Sequence, residues 1–187
     1  MRTLLVGLDA ACPRVLDPLF EAGDLPNFAA VFEAGAAGPL ESQVPPWTAS
    51  AWPSLYTGTN PGKHGVFGFL SFDGYDWDVV DASHVRERAI WDYLDDHDLS
   101  SVVVNVPVTH PPRAFDGAIV PGYAAPDPPT CHPAGILEEI EAAVGPYRVY
   151  AADESGTAGD ADRTVADLEE LVALRGEAFR FLADRFE

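Results

Sequence analysis

The stretch SSVVVNVPV, residues 100–108, decides the fold. It holds five valines in nine residues with no polar alternation, and such a continuous apolar run predicts a strand that is buried on both faces. The segment GAIVPGY (117–123) has the same character, and the amphipathic segment RAIWDYLDDHD (88–98) precedes both. Strands alternating with helices predict an α/β fold, a mostly parallel sheet flanked by helices.

Further elements are expected on the N-terminal side of these strands. TLLVGLD (3–9) is a third apolar run of strand length, and GPLESQVPP (38–46) a further strand. Between them, PRVLDPLFEAG (13–23) and LPNFAAVFEAG (25–35) have apolar residues at helical spacing and a terminal glycine, which predicts two short helices. The length of 187 residues predicts a single domain over 1–187.

The composition restricts the function. The chain contains thirty Asp and Glu but only eleven Lys and Arg, which gives a formal net charge of −19. This charge excludes general binding to nucleic-acid phosphates. With a single lysine, this composition predicts a high-salt cytoplasm, where mobile ions screen self-repulsion. No apolar run approaches the length of a membrane span, so we expect a cytoplasmic protein. Cys12 and Cys131 are isolated, which indicates neither a disulfide framework nor a thiolate zinc site.

Two side chains lie where α/β sheets place their chemistry. Asp9 ends the first expected strand, and Thr48 follows the strand at 38–46 and begins the small-residue run Thr-Ala-Ser-Ala. A threonine hydroxyl needs a base or a metal ion to act as a nucleophile, and a carboxylate can hold such a metal. The structural alternative is that Asp9 caps a turn and Thr48 is a helix N-cap. Pro53 favours a helix that starts nearer Ala51.

The segment TGTNPGKHG (57–65) holds the only lysine of the chain, Lys63. It is a candidate phosphate clamp, with a solvent-exposed loop lysine as the alternative. The five histidines have no metal-ligand spacing, so a mononuclear site of Asp9 with one of them is a minor alternative. We expect a hydrogen-bonding loop residue at His64, a surface residue at His97, and turn or packing residues at the other three, which are His84, His110 and His132.

Residues 4–69 resemble the N-terminal part of the type I phosphodiesterase/nucleotide pyrophosphatase family, in the alkaline phosphatase superfamily. The most specific pieces are GLDA (7–10), the Pro-Pro-x-Thr approach to Thr48, and TGTNPGKHG; IWDYL, VVVNVPVTHPP and GAIVPGY extend the similarity. The resemblance implies an alkaline-phosphatase-like core and two divalent metal ions, usually zinc. It implies that Thr48 is the nucleophile, that Asp9 and Thr48 ligate one metal, and that the substrate is a small phosphoester.

Members of that family run to several hundred residues and carry their remaining metal ligands in the C-terminal half. The resemblance therefore implies that this chain is the N-terminal portion of the catalytic domain. We expect at most one partial metal site, weak or no activity alone, and completion by a separate C-terminal chain as one arrangement. A non-catalytic anion-binding α/β module is the alternative. Sulfatase-like hydrolysis is disfavoured by threonine at the nucleophile position, and a dinucleotide-binding fold by the lack of G-x-G-x-x-G.

Overall fold

The computed structural model describes residues 3–151 and 161–186. The chain divides into two compact units, Met1–Ser42 and Gln43–Glu187. Helices and strands both occur among the described residues, which confirms the α/β class. The single domain expected over 1–187 stays a prediction.

The first unit contains the two expected helices, α1 at Pro13–Ala22 and α2 at Pro26–Ala34. Gly23 ends α1 in the left-handed region at a φ of 79°, and its N–H donates to the carbonyl of Phe20 at 3.1 Å. Such a φ favours glycine, because a Cβ would be strained there. The rings of Phe20 and Phe32 lie 5.1 Å apart and join the two helices.

The prediction of a strand at residues 3–9 is wrong. The structure has no strand there, and Leu4, Leu5, Val6 and Leu8 are more than half exposed. A strand needs a partner for its N–H and C=O groups, and the described part of this unit, residues 3–42, contains no other strand. An apolar run therefore did not suffice to form a buried strand.

The second unit contains the other elements. They are α3 Thr48–Thr57, α4 Pro61–His64, β1 Leu70–Asp73, β2 Asp76–Val79, α5 Ile90–Asp95, β3 Ser101–Val106, β4 Gly117–Pro121, α6 Ile136–Val144 and α7 Ala161–Arg185. None of the helices in the described ranges combines the length and the apolarity that a bilayer span requires.

Strands β3 and β4 are parallel, as expected, with Val103 opposite Ile119 and Val104 opposite Val120. Because successive side chains alternate between faces, Val103 and Ile119 pack into one core cluster, which includes residues of α3 and α5. Ala118 and Val120 pack into a second cluster with residues of α6 and α7. Helices thus cover both faces of this pair, while a wider parallel sheet stays a prediction.

Two glycines allow β3 and β4 to approach closely. A Cβ built on Gly117, whose φ is 135°, would lie 1.9 Å from the carbonyl oxygen of Ser101. A Cβ on Gly122 would lie 2.3 Å from the carbonyl oxygen of Asn105. Both positions therefore require glycine for steric reasons.

The segment before α3 and the first residue of α3 both differ from the prediction. Residues 38–46 form no strand, because no neighbouring strand of the described residues pairs with them. The helix begins at Thr48 rather than near Ala51, since the N–H groups of Ser50 and Ala51 already donate to the carbonyl of Trp47. Pro53 lies inside the helix and leaves the carbonyl of Ala49 without its usual i+4 N–H donor.

Strands β1 and β2 form a small antiparallel hairpin. Because Asp73 pairs with Asp76, the two loop residues are Gly74 and Tyr75. Glycine at the first loop position, here with a φ of 64°, is typical of a two-residue hairpin turn. One face of the hairpin carries Leu70, Phe72, Trp77 and Val79.

Candidate functional site

Thr48 is the first residue of α3, and the N-cap position before it is occupied by Trp47. The structural alternative, Thr48 as the N-cap residue, is therefore wrong. The side chain is half-buried, whereas the next two residues, Ala49 and Ser50, are fully buried. An α-helix leaves its first N–H groups without intrahelical acceptors, so the amide of Thr48 lies at the positive end of α3 beside its hydroxyl.

A hydrogen-bond network fixes the chain on both sides of Thr48. The Ser50 hydroxyl lies 3.0 Å from the carbonyl oxygens of both Pro45 and Trp47. The Gln43 amide nitrogen donates to the Ser50 hydroxyl at 2.9 Å and to the Pro45 carbonyl at 2.6 Å. Ser50 itself has no exposed surface, and these bonds anchor the loop that leads to Thr48.

His64 lies at the end of α4 and is also fully buried. Its Nε2 is 2.8 Å from the hydroxyl of Ser54, and its Nδ1 accepts a hydrogen bond from the N–H of Val66 at 3.2 Å. Burial lowers the pKa of the His64 imidazole below its usual value, and the negative charge of Glu87 offsets part of that shift. The expectation of a hydrogen-bonding His64 is confirmed, although the residue is a core component rather than a loop residue at the surface.

The far end of α3 is tied to the parallel strands. Tyr56 is buried and packs on Trp91 with ring centroids 5.0 Å apart, and its hydroxyl donates to the carbonyl of Val108 at 3.1 Å. Burial raises the pKa of the Tyr56 phenol, which keeps it neutral and a hydrogen-bond donor. The helix that carries Thr48 is therefore anchored to the loop after β3.

Lys63 is exposed in the last turn of α4, beside the buried His64. This placement matches the solvent-exposed alternative, and a role as a phosphate clamp stays a prediction. In the segment TGTNPGKHG, the buried residues are thus Pro61 and His64, not the lysine.

Asp9 belongs to the first unit and lies in an exposed turn at residues 9–10. The N-cap of α1 is Cys12, so Asp9 does not cap that helix. Asp9 and Thr48 are in different units, and their assignment to one metal rests on the motifs rather than on a distance.

The described ranges, 3–151 and 161–186, contain no group of three or more His, Cys, Asp or Glu side chains that could hold a metal ion. His84 bonds to the carboxylate of Asp81 at 2.9 Å, and His132 contacts the Phe115 carbonyl at 3.0 Å, so both have the structural roles expected for them. Cys12 and Cys131 are free thiols. These residues by themselves do not make a two-metal centre.

Several residues of the site were missed by the sequence analysis. Gln43, Ser50 and Ser54 support the first turn of α3, yet none lies in a metal or nucleophile pattern. For Ser50 and Ser54, the signal that could have revealed them is their position on either side of Pro53, where the helical ladder lacks one N–H donor.

The comparisons with known proteins agree with the resemblance. The family model described as type I phosphodiesterase / nucleotide pyrophosphatase matches residues 3–181. Neither a curated protein nor a solved structure gave a significant match. The matched range includes Asp9, the approach to Thr48 and both parallel strands. The chain therefore belongs to the type I phosphodiesterase/nucleotide pyrophosphatase family.

Proposed function

We propose that this protein is a phosphoester hydrolase of the phosphodiesterase/nucleotide pyrophosphatase type, with Thr48 as its nucleophile. The observation that carries the proposal is the position of Thr48: it is the first helical residue of α3, and the N-cap role belongs to Trp47. Because the Thr48 hydroxyl does not act as the N-cap, we infer that it can serve as the nucleophile. It lies at the N-terminus of α3, where backbone N–H groups favour binding of a phosphoryl oxygen. Membership of the family supports this reading.

The proposed reaction has two steps. The Thr48 hydroxyl oxygen forms a bond to phosphorus as the bond from phosphorus to the leaving oxygen breaks, and the alcohol departs with the proton that Thr48 loses. Water then attacks the phosphothreonine, releases the phosphate monoester and restores the hydroxyl. Splitting hydrolysis in this way replaces one difficult displacement by two easier ones.

Members of the family in general depend on divalent metal ions. The donors that the motifs assign here are Asp9 and Thr48, in different units, and the described part of the chain has no larger ligand group. We propose that the remaining ligands of the family's site lie outside the described residues. This is the arrangement expected of the N-terminal portion of a catalytic domain.

A second candidate is a non-catalytic anion-binding module. The absence of a larger ligand group among the described residues favours it. The supported first turn of α3 would serve that role equally well, since it presents N–H groups to an anion without any need for a reactive hydroxyl.

The test is hydrolysis of bis(p-nitrophenyl) phosphate by the 187-residue chain with added Zn²⁺ or Mn²⁺. We expect slow turnover that Thr48→Ala reduces by about 10³-fold or more, because removing a nucleophile removes the covalent route. Thr130→Ala is the matched control, since Thr130 is an exposed loop threonine whose loss should leave the rate unchanged. Mass spectrometry of quenched reactions should locate a phosphorylated Thr48.

Two results would contradict the proposal. Turnover that survives Thr48→Ala would remove Thr48 from the reaction. No turnover with either metal, together with saturable binding of inorganic phosphate, would favour the anion-binding module.

A further inference from the structure

We propose that His64 is a positioning residue for Thr48, acting through a chain of hydrogen bonds across Ser54 and Ser50. This inference rests on the proposed function, because it gives the motif TGTNPGKHG a role in the same site. It assigns that role to the buried histidine rather than to the exposed Lys63.

The direction of the hydrogen bonds follows from the backbone. The Val66 N–H can only donate, so the Nδ1 of His64 at 3.2 Å must be the acceptor. The neutral ring therefore carries its hydrogen on Nε2 and donates to the Ser54 hydroxyl at 2.8 Å. Ser54 in turn donates to the carbonyl of Ser50 at 2.9 Å, so every group in the chain has one consistent role.

This chain of bonds ends in the first turn of α3. Pro53 has no N–H, so the helical ladder lacks one bond at the carbonyl of Ala49. The next carbonyl, that of Ser50, receives the Ser54 hydroxyl. The Ser54 hydroxyl thus adds a side-chain bond in this turn, next to the carbonyl at which the backbone ladder is interrupted.

The Ser50 side chain connects this network to Trp47, the residue before Thr48. Its hydroxyl lies 3.0 Å from the carbonyl oxygen of Trp47, the N-cap residue. His64 and Ser50 both have no exposed surface and Ser54 is half-buried, so these bonds have little contact with water. A displacement of about 1 Å at a reacting group can cost about 100-fold in rate, which is the reason to fix this turn.

Burial favours the neutral form of the His64 imidazole and outweighs the negative charge of Glu87, which favours the protonated form. The backbone N–H of Arg86 donates to the His64 carbonyl at 3.0 Å, and the Arg86 side chain lies over Gly65. Glu87 supplies the negative charge that faces His64.

The experiment uses the full chain and the variants Ser54→Ala, His64→Gln and the control His97→Gln. His97 is exposed and lies outside the network. Long-range ¹H–¹⁵N spectra should show His64 protonated on Nε2 and not on Nδ1. In Ser54→Ala, the amides of Ser50 and Ala51 should exchange about tenfold faster, the value of one net hydrogen bond, while amides of β3 and β4 keep their rates.

Turnover provides the functional arm. Ser54→Ala should lower kcat by about 10- to 100-fold with KM nearly unchanged, and His64→Gln should retain more activity than His64→Ala because its amide can still donate to Ser54. His64 protonated on Nδ1, or unchanged exchange at Ser50 and Ala51 in Ser54→Ala, would overturn the inference. Since the spectra and the exchange rates do not require turnover, they test the hydrogen-bond chain even if the hydrolase proposal fails. Loss of turnover in Thr48→Ala with full activity in Ser54→Ala would uphold the hydrolase and reject the positioning role.

Discussion

Residues 3–42 and residues 43–68 carry the two side chains that the family motifs assign to the site, but the two regions are built differently. Around Thr48, Ser50 and His64 have no exposed surface and are hydrogen-bonded. Around Asp9, none of residues 3–42 is buried. The difference shows that the position of Thr48 is set by the buried core of its own unit, whereas no buried residue surrounds Asp9 in the described part of the first unit.

The largest expected difference concerns local stability, and two helices of nine residues allow a matched comparison. Helix α6 buries Ile136 and Ile140, while α2 buries no residue. Regions with few buried apolar contacts open at low free energy, so we expect the amides of α2 to exchange about a thousandfold faster than those of α6. Native-state hydrogen exchange measures this, and equal protection of the two helices would break the comparison.

A second prediction concerns global stability. Ile119→Ala removes a side chain that is 2 % exposed between β4 and the core and should lower the free energy of unfolding by about 3 kcal/mol. Leu5→Ala, at a position 65 % exposed, should change it by less than about 0.5 kcal/mol. Urea titration of both variants tests the pair; a large loss in Leu5→Ala would show that residues 3–8 are part of a core.

The smallest expected effect is the response to acid. The folded state holds the pKa of His64 below its usual value of 6.5, so below about pH 6.5 the unfolded chain binds a proton that the folded chain does not. Stability from this group is therefore complete above that pH and falls on acidification, by at most about 1.4 kcal/mol per pH unit. In His64→Gln this part of the slope should vanish between pH 6.5 and 5, as followed by thermal unfolding. An unchanged slope would show that His64 is not held neutral.

Much of the fold could be predicted because its signals are local. The apolar runs at β3 and β4 and the glycines after α1 and α2 each act over a few residues. The segment 3–9 could not be predicted in the same way. Its composition is that of a buried strand, but burial depends on a partner strand that local sequence does not specify.

The same limit applies to the candidate site. Thr48 and Asp9 were assigned from motifs, because the family's motifs are short patterns that can be recognised in the sequence alone. The hydrogen-bond partners of Gln43, Ser50, Ser54 and His64 could not be predicted. Their bonds join the loop before α3 to the end of α4 through the tertiary structure.

The two glycines at the β3–β4 contact have a consequence for folding. A slip of one residue would turn every side chain of β4 to the wrong face, but a slip of two would preserve the apolar pattern. Such a slip would bring a residue with a Cβ to each place where Gly117 and Gly122 meet the backbone of β3 at 1.9 and 2.3 Å. The two glycines thus disfavour a shift of two residues, which the alternation of apolar side chains alone would allow. They help to fix the register of β3 and β4.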